Sequence, residues 1–166
     1  MKRLYLLRHA KAQSTASEDK LRKLSGTGKK QADLLGEYMQ KENFIPERIL
    51  CSPATRTRET LDCILEHIGQ QATEYPEGFY YSTPGDLITT IQTQDNAHSS
   101  LMIVNHNPAI HQLAFMLCGN GPEAKIQELA VMYKPCTLTV LDCDIDEWAA
   151  LMPGQNSLTA LIPPFA

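Results

Sequence analysis

Three short apolar runs, each ending abruptly in a polar and cationic segment, constrain the fold of this chain most. The runs lie at residues 4–7, 48–51 and 101–104, and the cationic or nucleophilic side chains that follow them are Arg8, His9, Arg56 and His106. A short apolar run bounded by charge is typical of a strand that is buried on both faces. If the three strands are parallel neighbours, their carboxyl ends meet at one edge of the sheet, which is where open α/β sheets bind ligands. Two arginines and two imidazoles gathered there would form a site for an oxyanion.

The segments between these runs carry apolar residues at helical spacing. We predict helices over 28–42, 53–68, 84–94 and 108–118, and further strands at 73–76, 129–133 and 137–142. The last two strands are expected to pair in antiparallel orientation, because the segment between them is short. Alternation of strands and helices predicts an α/β fold, a three-layer α/β/α sandwich with a mostly parallel mixed sheet. The length of 166 residues fits a single domain over 1–166.

Charge and composition argue against several classes of protein. The formal net charge of −4 is unlike that of a general nucleic-acid-binding protein, so no nucleic acid is expected as a partner. No apolar stretch is long enough to span a membrane, and the apolar run near the N-terminus is too short for a signal peptide. The five cysteines are odd in number and form no Cys-x-x-Cys pair. We therefore expect reduced thiols in a cytoplasmic protein, without a zinc site.

Four motifs together resemble those of the histidine phosphatase superfamily, the phosphoglycerate mutase-like enzymes. The motifs are Arg8-His9-Ala10, Ser52-x-x-x-Arg56-Thr57-x-x-Thr60, His106-Asn107-Pro108 and Asp19-x-x-Arg22-x-Leu24-Ser25-x-x-Gly28. The last of them is similar to the pattern of the SixA-type branch, the phosphohistidine phosphatases. In the family the second histidine is usually preceded by glycine, where this chain has Asn105. The resemblance spans almost the whole chain and implies the same phosphoglycerate mutase-like fold.

The resemblance implies a division of roles among the residues at the strand ends. His9 is the candidate nucleophile, whose neutral imidazole attacks phosphorus and forms a phosphohistidine that water then hydrolyses. Arg8 and Arg56 are expected to hold the phosphoryl oxygens, on which charge develops. His106 is expected to be a second phosphate donor or a partner that tunes His9. Arg22 is a further candidate for contact with phosphate or substrate.

Many members of the superfamily carry a carboxylic acid after the second helix that protonates the leaving oxygen. The candidate in this chain is Glu77, with a solvated surface carboxylate as the alternative interpretation. An enzyme whose leaving group is an imidazole depends less on such an acid, because that ring can be protonated on its far nitrogen. Neither a cofactor nor a metal is expected, since the two arginines carry the positive charge and no carboxylate cluster accompanies them.

The short segment between residues 60 and 101 has no room for a large lid, so we predict an open site. An open site would admit a phosphorylated side chain of another protein, and the first hypothesis is a protein phosphohistidine phosphatase. Its partner would be a His-phosphotransfer domain or a phosphocarrier. One alternative is a phosphatase for a small phosphoester, such as a sugar phosphate or nucleotide. A mutase is disfavoured because it must exclude water. A non-catalytic phosphate-binding module is the alternative of another class, and it would not need both histidines.

Overall fold

The computed structural model describes all residues, Met1–Ala166, and is built around one seven-stranded sheet. The strands are β1 (Lys2–Arg8), β2 (Arg48–Cys51), β3 (Ala72–Glu74), β4 (Ser100–Asn105), β5 (Cys118–Asn120), β6 (Leu138–Cys143) and β7 (Asn156–Ile162). The helices are α1 (Gly26–Lys41), α2 (Thr55–Ile68), α3 (Pro84–Gln92), α4 (Ala109–Leu117) and α5 (Glu123–Val131). Three short 3-10 turns lie at Asp19–Leu21, Glu77–Tyr81 and Trp148–Ala150.

The sheet is mixed and mostly parallel, in the order β3-β2-β4-β1-β6-β7-β5. Only β6 runs against the other strands, pairing antiparallel with β1 on one side and with β7 on the other. In the register of the central strands, Arg8 lies opposite Asn105 and Cys51 lies opposite Val104. The segments that leave β1, β2 and β4 therefore start at the same edge of the sheet, as the sequence predicted.

The two faces of β1 feed two separate cores, because side chains alternate along a strand. Leu4 and Leu6 pack with the buried faces of α3, α4 and α5. Tyr5 and Leu7 pack with the buried faces of α1 and α2. Helices thus cover both sides of the sheet, and the predicted α/β/α sandwich is confirmed. None of the helices combines the length and the apolar character needed to cross a membrane.

Local sequence explains where the helices near the site begin. Ser25 caps α1, because its hydroxyl accepts a hydrogen bond from the amide of Gly28 at 3.0 Å. Gly28 also packs against the loop that follows β1, and a Cβ at this position would lie 1.9 Å from the carbonyl oxygen of Lys11. Pro53 does not open α2 as predicted, since this helix begins two residues later at Thr55. Arg56 therefore lies in its first turn.

The prediction was wrong for the chain after α4. Residues 123–131 form α5 rather than leading into a strand at 129–133, because strong helix formers precede the apolar residues and only Leu129 of this helix is buried. On the side away from β1, the antiparallel partner of β6 is instead β7. Neither β7 nor β5 was predicted from the sequence. Gly119 lies in β5, where a Cβ would meet the carbonyl oxygen of Gly154 at 2.2 Å.

Candidate active site

The end of β1 is held between its two neighbouring strands. The amide of His9 donates to the carbonyl of Asn105 at 3.2 Å, at the end of β4. On the other side, the amide of Arg8 donates to the carbonyl of Thr137, and the amide of Cys136 donates to the carbonyl of His9 at 2.9 Å. These backbone bonds fix the direction in which the His9 ring leaves the sheet, and the ring itself is buried.

The hydrogen bond of the His9 ring defines its tautomer. Nδ1 lies 2.7 Å from the carbonyl oxygen of Ala10. A carbonyl oxygen only accepts, so Nδ1 carries the proton and the lone pair of Nε2 is free. Burial is the main cause that lowers the pKa of His9 to about 4; the hydrogen bond to Ala10 opposes this shift, and the nearby arginine charges act in the same direction as burial. The ring is therefore a neutral imidazole at neutral pH, which is the form that can attack phosphorus.

His106 faces His9 across the site. Its backbone amide donates to the side-chain oxygen of Asn105 at 2.9 Å, and its Nε2 lies 2.7 Å from the hydroxyl of Ser52 at the end of β2. The centres of the His9 and His106 rings are 5.3 Å apart. Burial and the charge of Arg56 lower the pKa of His106 to about 3. Its buried Nδ1 has no hydrogen-bond partner in the chain.

Two arginines, the buried Arg56 and the half-buried Arg8, supply positive charge to the same space. Arg56 is only 5% exposed, and its Nη1 and Nη2 donate to the backbone and side chain of Asp19 at 2.8 and 3.1 Å. Arg8 donates through Nη1 to the carbonyl of Tyr133 at 2.9 Å. Burial, followed by the charge of Arg56, lowers the pKa of Arg8. The Nε atoms of both arginines are buried without a partner, so the site has unused donors for an oxyanion.

The carboxylate of Asp19 links several side chains around the site through hydrogen bonds. It accepts hydrogen bonds from the Tyr80 hydroxyl, from Nε of Arg22 at 2.9 Å and from Arg56. The Tyr80 hydroxyl, and then the two arginines, hold the pKa of Asp19 well below its usual range. Arg22 also donates to the carbonyl of Gln13 at 2.9 Å. Arg22 is thus anchored at the rim through Asp19, and its charge contributes to the low pKa of His9.

Glu77 lies apart from these residues. It begins the 3-10 turn of residues 77–81, its side chain is 80% exposed, and Oε2 pairs with Nζ of Lys20 at 3.1 Å. It forms no hydrogen bond or ion pair with the histidines or arginines described above. Its assignment as a general acid stays a prediction. The structure therefore brings together His9, Arg8, Arg56 and His106, with Arg22 at the rim, and leaves Glu77 outside.

Three contributors to the site were missed from the sequence. Ser52 and Asp19 lie within the sequence motifs, but no role was predicted for them. The position of Ser52 directly after a predicted strand could have indicated that it belongs to the site. Tyr80 belongs to no motif, yet its ring contacts that of His106 with centres 5.5 Å apart. No periodicity marks it, because a 3-10 turn brings it to the site.

One group of side chains elsewhere could hold a metal ion. Asp33 and Glu37 of α1 lie beside His67 of α2, with their potential ligand atoms within 4.8 Å of one another. Nε2 of His67 is 2.7 Å from Oδ1 of Asp33, so the contact also works as a hydrogen bond between the two helices. In the site itself the positive charges of Arg8 and Arg56 repel cations and favour anions.

Comparison with known proteins agrees with this geometry. Residues 4–78 match the model of the histidine phosphatase superfamily (branch 1). The uncharacterized protein Rv1276c of Mycobacterium tuberculosis is 30% identical over 162 residues, which is 95% of this chain and 99% of that protein. Phosphohistidine phosphatase SixA of Escherichia coli is 26% identical over 120 residues, covering 69% of this chain and 73% of that one. The structure of the protein histidine phosphatase SixA complexed with tungstate has a TM-score of 0.78 at 19% identity, with 96% of each chain covered. This last likeness shows the fold.

Proposed function

The chain belongs to the histidine phosphatase superfamily, and we propose that it removes the phosphoryl group from phosphohistidine on a protein, with His9 as the nucleophile. The observation that carries the proposal is the neutral His9 ring, whose Nε2 is free and which lies close to the charges of the buried Arg56 and the half-buried Arg8. The similarity to SixA of Escherichia coli, which is named a phosphohistidine phosphatase, supports the same substrate class. The five free cysteines fit a reducing compartment, so we place the protein in the cytoplasm.

The reaction has two steps in which atoms and charge balance. The lone pair of His9 Nε2 attacks phosphorus, a new N–P bond forms, and the N–P bond of the substrate breaks. The electron pair of the broken bond stays on the substrate imidazole, whose far nitrogen can carry a proton, so the ring leaves neutral. Water then attacks the phosphorus on His9, the His9–phosphorus bond breaks, and inorganic phosphate is released. Dividing the transfer in this way replaces one difficult step by two easier ones.

The cationic side chains are expected to act on the phosphoryl oxygens. Arg56 now donates to the carboxylate of Asp19, and a phosphoryl group would accept these N–H groups in its place. Arg8 is fixed by the carbonyl of Tyr133 through one of its nitrogens, which leaves its other donors for the substrate. His106 would donate from its unpartnered Nδ1, because the Ser52 hydroxyl can donate to Nε2. Preorganised donors of this kind contribute most where charge develops in the transition state.

The carboxylates near the site favour phosphohistidine over alkyl phosphates. An alkoxide leaving group needs a proton from a general acid. Asp19 is the carboxylate in contact with the site, and the low pKa of this group keeps it ionised, so it has no proton to give. An imidazole needs no such donor. The segment between α2 and β4 forms only β3, a 3-10 turn and α3, which leaves room for a protein substrate. A His-phosphotransfer domain or a phosphocarrier would be such a substrate.

The first experiment compares wild type with His9→Ala in the presence of a metal chelator. The substrates are a phosphohistidine protein and, separately, p-nitrophenyl phosphate. We expect turnover of the phosphoprotein that is lost in His9→Ala and retained in His98→Ala, a histidine in the loop before β4. Activity on the small ester alone would contradict the proposed substrate. Turnover of the phosphoprotein by His9→Ala at the wild-type rate would contradict the proposed nucleophile.

The role of Glu77 is tested separately with Glu77→Gln. If Glu77 is a general acid, the variant loses more activity towards an alkyl phosphate than towards phosphohistidine, because the leaving oxygen needs the proton. Equal losses on the two substrates would contradict the idea that an imidazole leaving group makes the acid dispensable. The assay measures kcat/KM on both substrates with the same protein preparation.

A further inference from the structure

Two adjacent tyrosines, the partly exposed Tyr80 beside His106 and the exposed Tyr81, lie at the edge of the site. Tyr80 and Tyr81 end the 3-10 turn of residues 77–81, and Phe79 in the same turn is buried in the core beneath them. The two tyrosine rings meet edge to face, with centres 4.7 Å apart and planes at 86°. Tyr81 is 81% exposed, although the turn that carries it is anchored. The proposed hydrolysis of the phosphoryl group gives neither ring a role.

Tyr80 is fixed in place by three contacts with the site. Its hydroxyl donates to the carboxylate of Asp19, its ring meets that of His106 with the planes at 77°, and the guanidinium carbon of Arg56 lies 6.0 Å from its centre. Tyr81 packs edge to face on Tyr80, forms no ring contact with His106 and is highly exposed. The two tyrosines therefore form a continuous aromatic surface that extends from His106 to solvent.

The geometry of the displacement at phosphorus determines which part of the substrate would contact the two tyrosines. The leaving nitrogen lies opposite the attacking nitrogen in an in-line displacement at phosphorus. Because His9 is buried, we expect the leaving group to lie on the side of the phosphorus that faces away from His9 and towards solvent. The leaving group, directly beyond the phosphoryl oxygens, would then extend past Tyr80 and lie beside Tyr81. This argument rests on the proposed function.

We propose that Tyr80 and Tyr81 form a subsite for the imidazole ring of the substrate, in which the ring packs against Tyr81. An imidazole is planar and aromatic, and aromatic rings pair favourably in edge-to-face or offset geometry. A protonated imidazole would also be attracted to the face of a tyrosine. Lys20, with Nζ 5.8 Å from the centre of the Tyr80 ring, already occupies that neighbourhood, whereas Tyr81 has no cation over it. The subsite selects phosphohistidine from other phosphoramidates.

The test compares two substrates that share an N–P bond and differ in the ring. Free phosphohistidine carries the imidazole, and phosphoramidate has none. We expect Tyr81→Ala to lower the ratio of kcat/KM for phosphohistidine to that for phosphoramidate by roughly three- to tenfold, the loss expected for one aromatic pair. Tyr81→Phe is expected to keep the wild-type ratio. The matched control is Phe115→Ala, a half-exposed aromatic residue on α4, which is expected to leave the ratio unchanged.

Each outcome has a definite meaning. A ratio that falls in Tyr81→Ala and is restored in Tyr81→Phe supports the subsite. An unchanged ratio overturns it, and so does an equal loss on both substrates, which would indicate a distorted site. In both of those cases wild-type hydrolysis of phosphohistidine still supports the proposed function. Wild-type protein that hydrolyses phosphoramidate but not phosphohistidine would overturn both.

Discussion

Two buried histidines that stay neutral make the stability of the fold depend on pH. His9 and His106 have pKa values of about 4 and 3 in the folded chain, mainly because burial disfavours the charged ring. In the unfolded chain a histidine has a pKa near 6.5. The folded pKa values are the lower ones, so the unfolded chain binds more protons below pH 6.5. The stabilisation is present above that pH and is lost as the pH falls towards 4.

The size of the effect follows from linkage. As the pH falls from 7 to 5, the number of protons that each histidine takes up on unfolding rises from about 0.2 to nearly one, while the folded state binds almost none. The free energy of unfolding therefore falls by about 2 kcal/mol for each ring, or about 4 kcal/mol for the pair. That is a large part of the roughly 5–15 kcal/mol that stabilises a typical domain. Asp19 also makes the free energy of unfolding fall with decreasing pH, but only at lower pH, because its pKa is held well below its usual range.

The assay is urea unfolding at several pH values in phosphate-free buffer, since a bound anion would itself stabilise the folded state. We expect the difference in unfolding free energy between wild type and His9→Asn to fall by about 2 kcal/mol from pH 7 to pH 5. Thr60→Val serves as the control, because it removes hydrogen bonds beside the same loop without removing a titrating group. A difference for His9→Asn that is constant with pH would refute the argument that His9 is buried as a neutral nucleophile.

Three further substitutions test the site and its support. Arg56→Lys keeps the charge but loses the planar fork, so we expect kcat/KM on phosphohistidine to fall about 10²-fold with little change in the thermal unfolding temperature. Ser52→Ala removes the hydrogen bond to His106, and steady-state kinetics should show kcat reduced roughly tenfold. Gly28→Ala should cost roughly 2–3 kcal/mol in urea unfolding, because its Cβ would collide with a backbone carbonyl, whereas Gly26→Ala has open space and should cost nothing.

The central strands could be predicted because burial on both faces gives a strand a recognisable sequence pattern. β1, β2 and β4 lie in the middle of the sheet and have apolar residues on both faces, so each appears as a continuous apolar run bounded by charge. The same logic failed at residues 129–133, where an apolar run ends a helix and only Leu129 faces the core. A short apolar run does not separate a buried strand from the last turn of a helix, and here the residues before it decided the outcome.

The candidate site shows the same limit in another form. Arg8, His9 and His106 could be placed from the sequence because they follow strands directly, and Arg56 because it lies in the first turn after one. Tyr80 could not, since its position depends on how a 3-10 turn packs on Phe79 rather than on any local pattern. The sequence predicts the position of a side chain that directly follows a strand. The position of a side chain on a loop depends on packing elsewhere in the fold.

Asp19 explains how Arg56 can stay buried beside the half-buried Arg8 without a substrate. Like charges repel, and the charge of Arg56 lowers the pKa of Arg8. The carboxylate of Asp19 supplies a negative charge next to Arg56, and it also accepts hydrogen bonds from Arg22 and Tyr80. In the proposed reaction, a phosphoryl group that takes the donors of Arg56 would leave Asp19 with its two other partners. The exchange is then expected to cost little, and a dianionic phosphoryl group, with more charge than one carboxylate, would be held more strongly by Arg56.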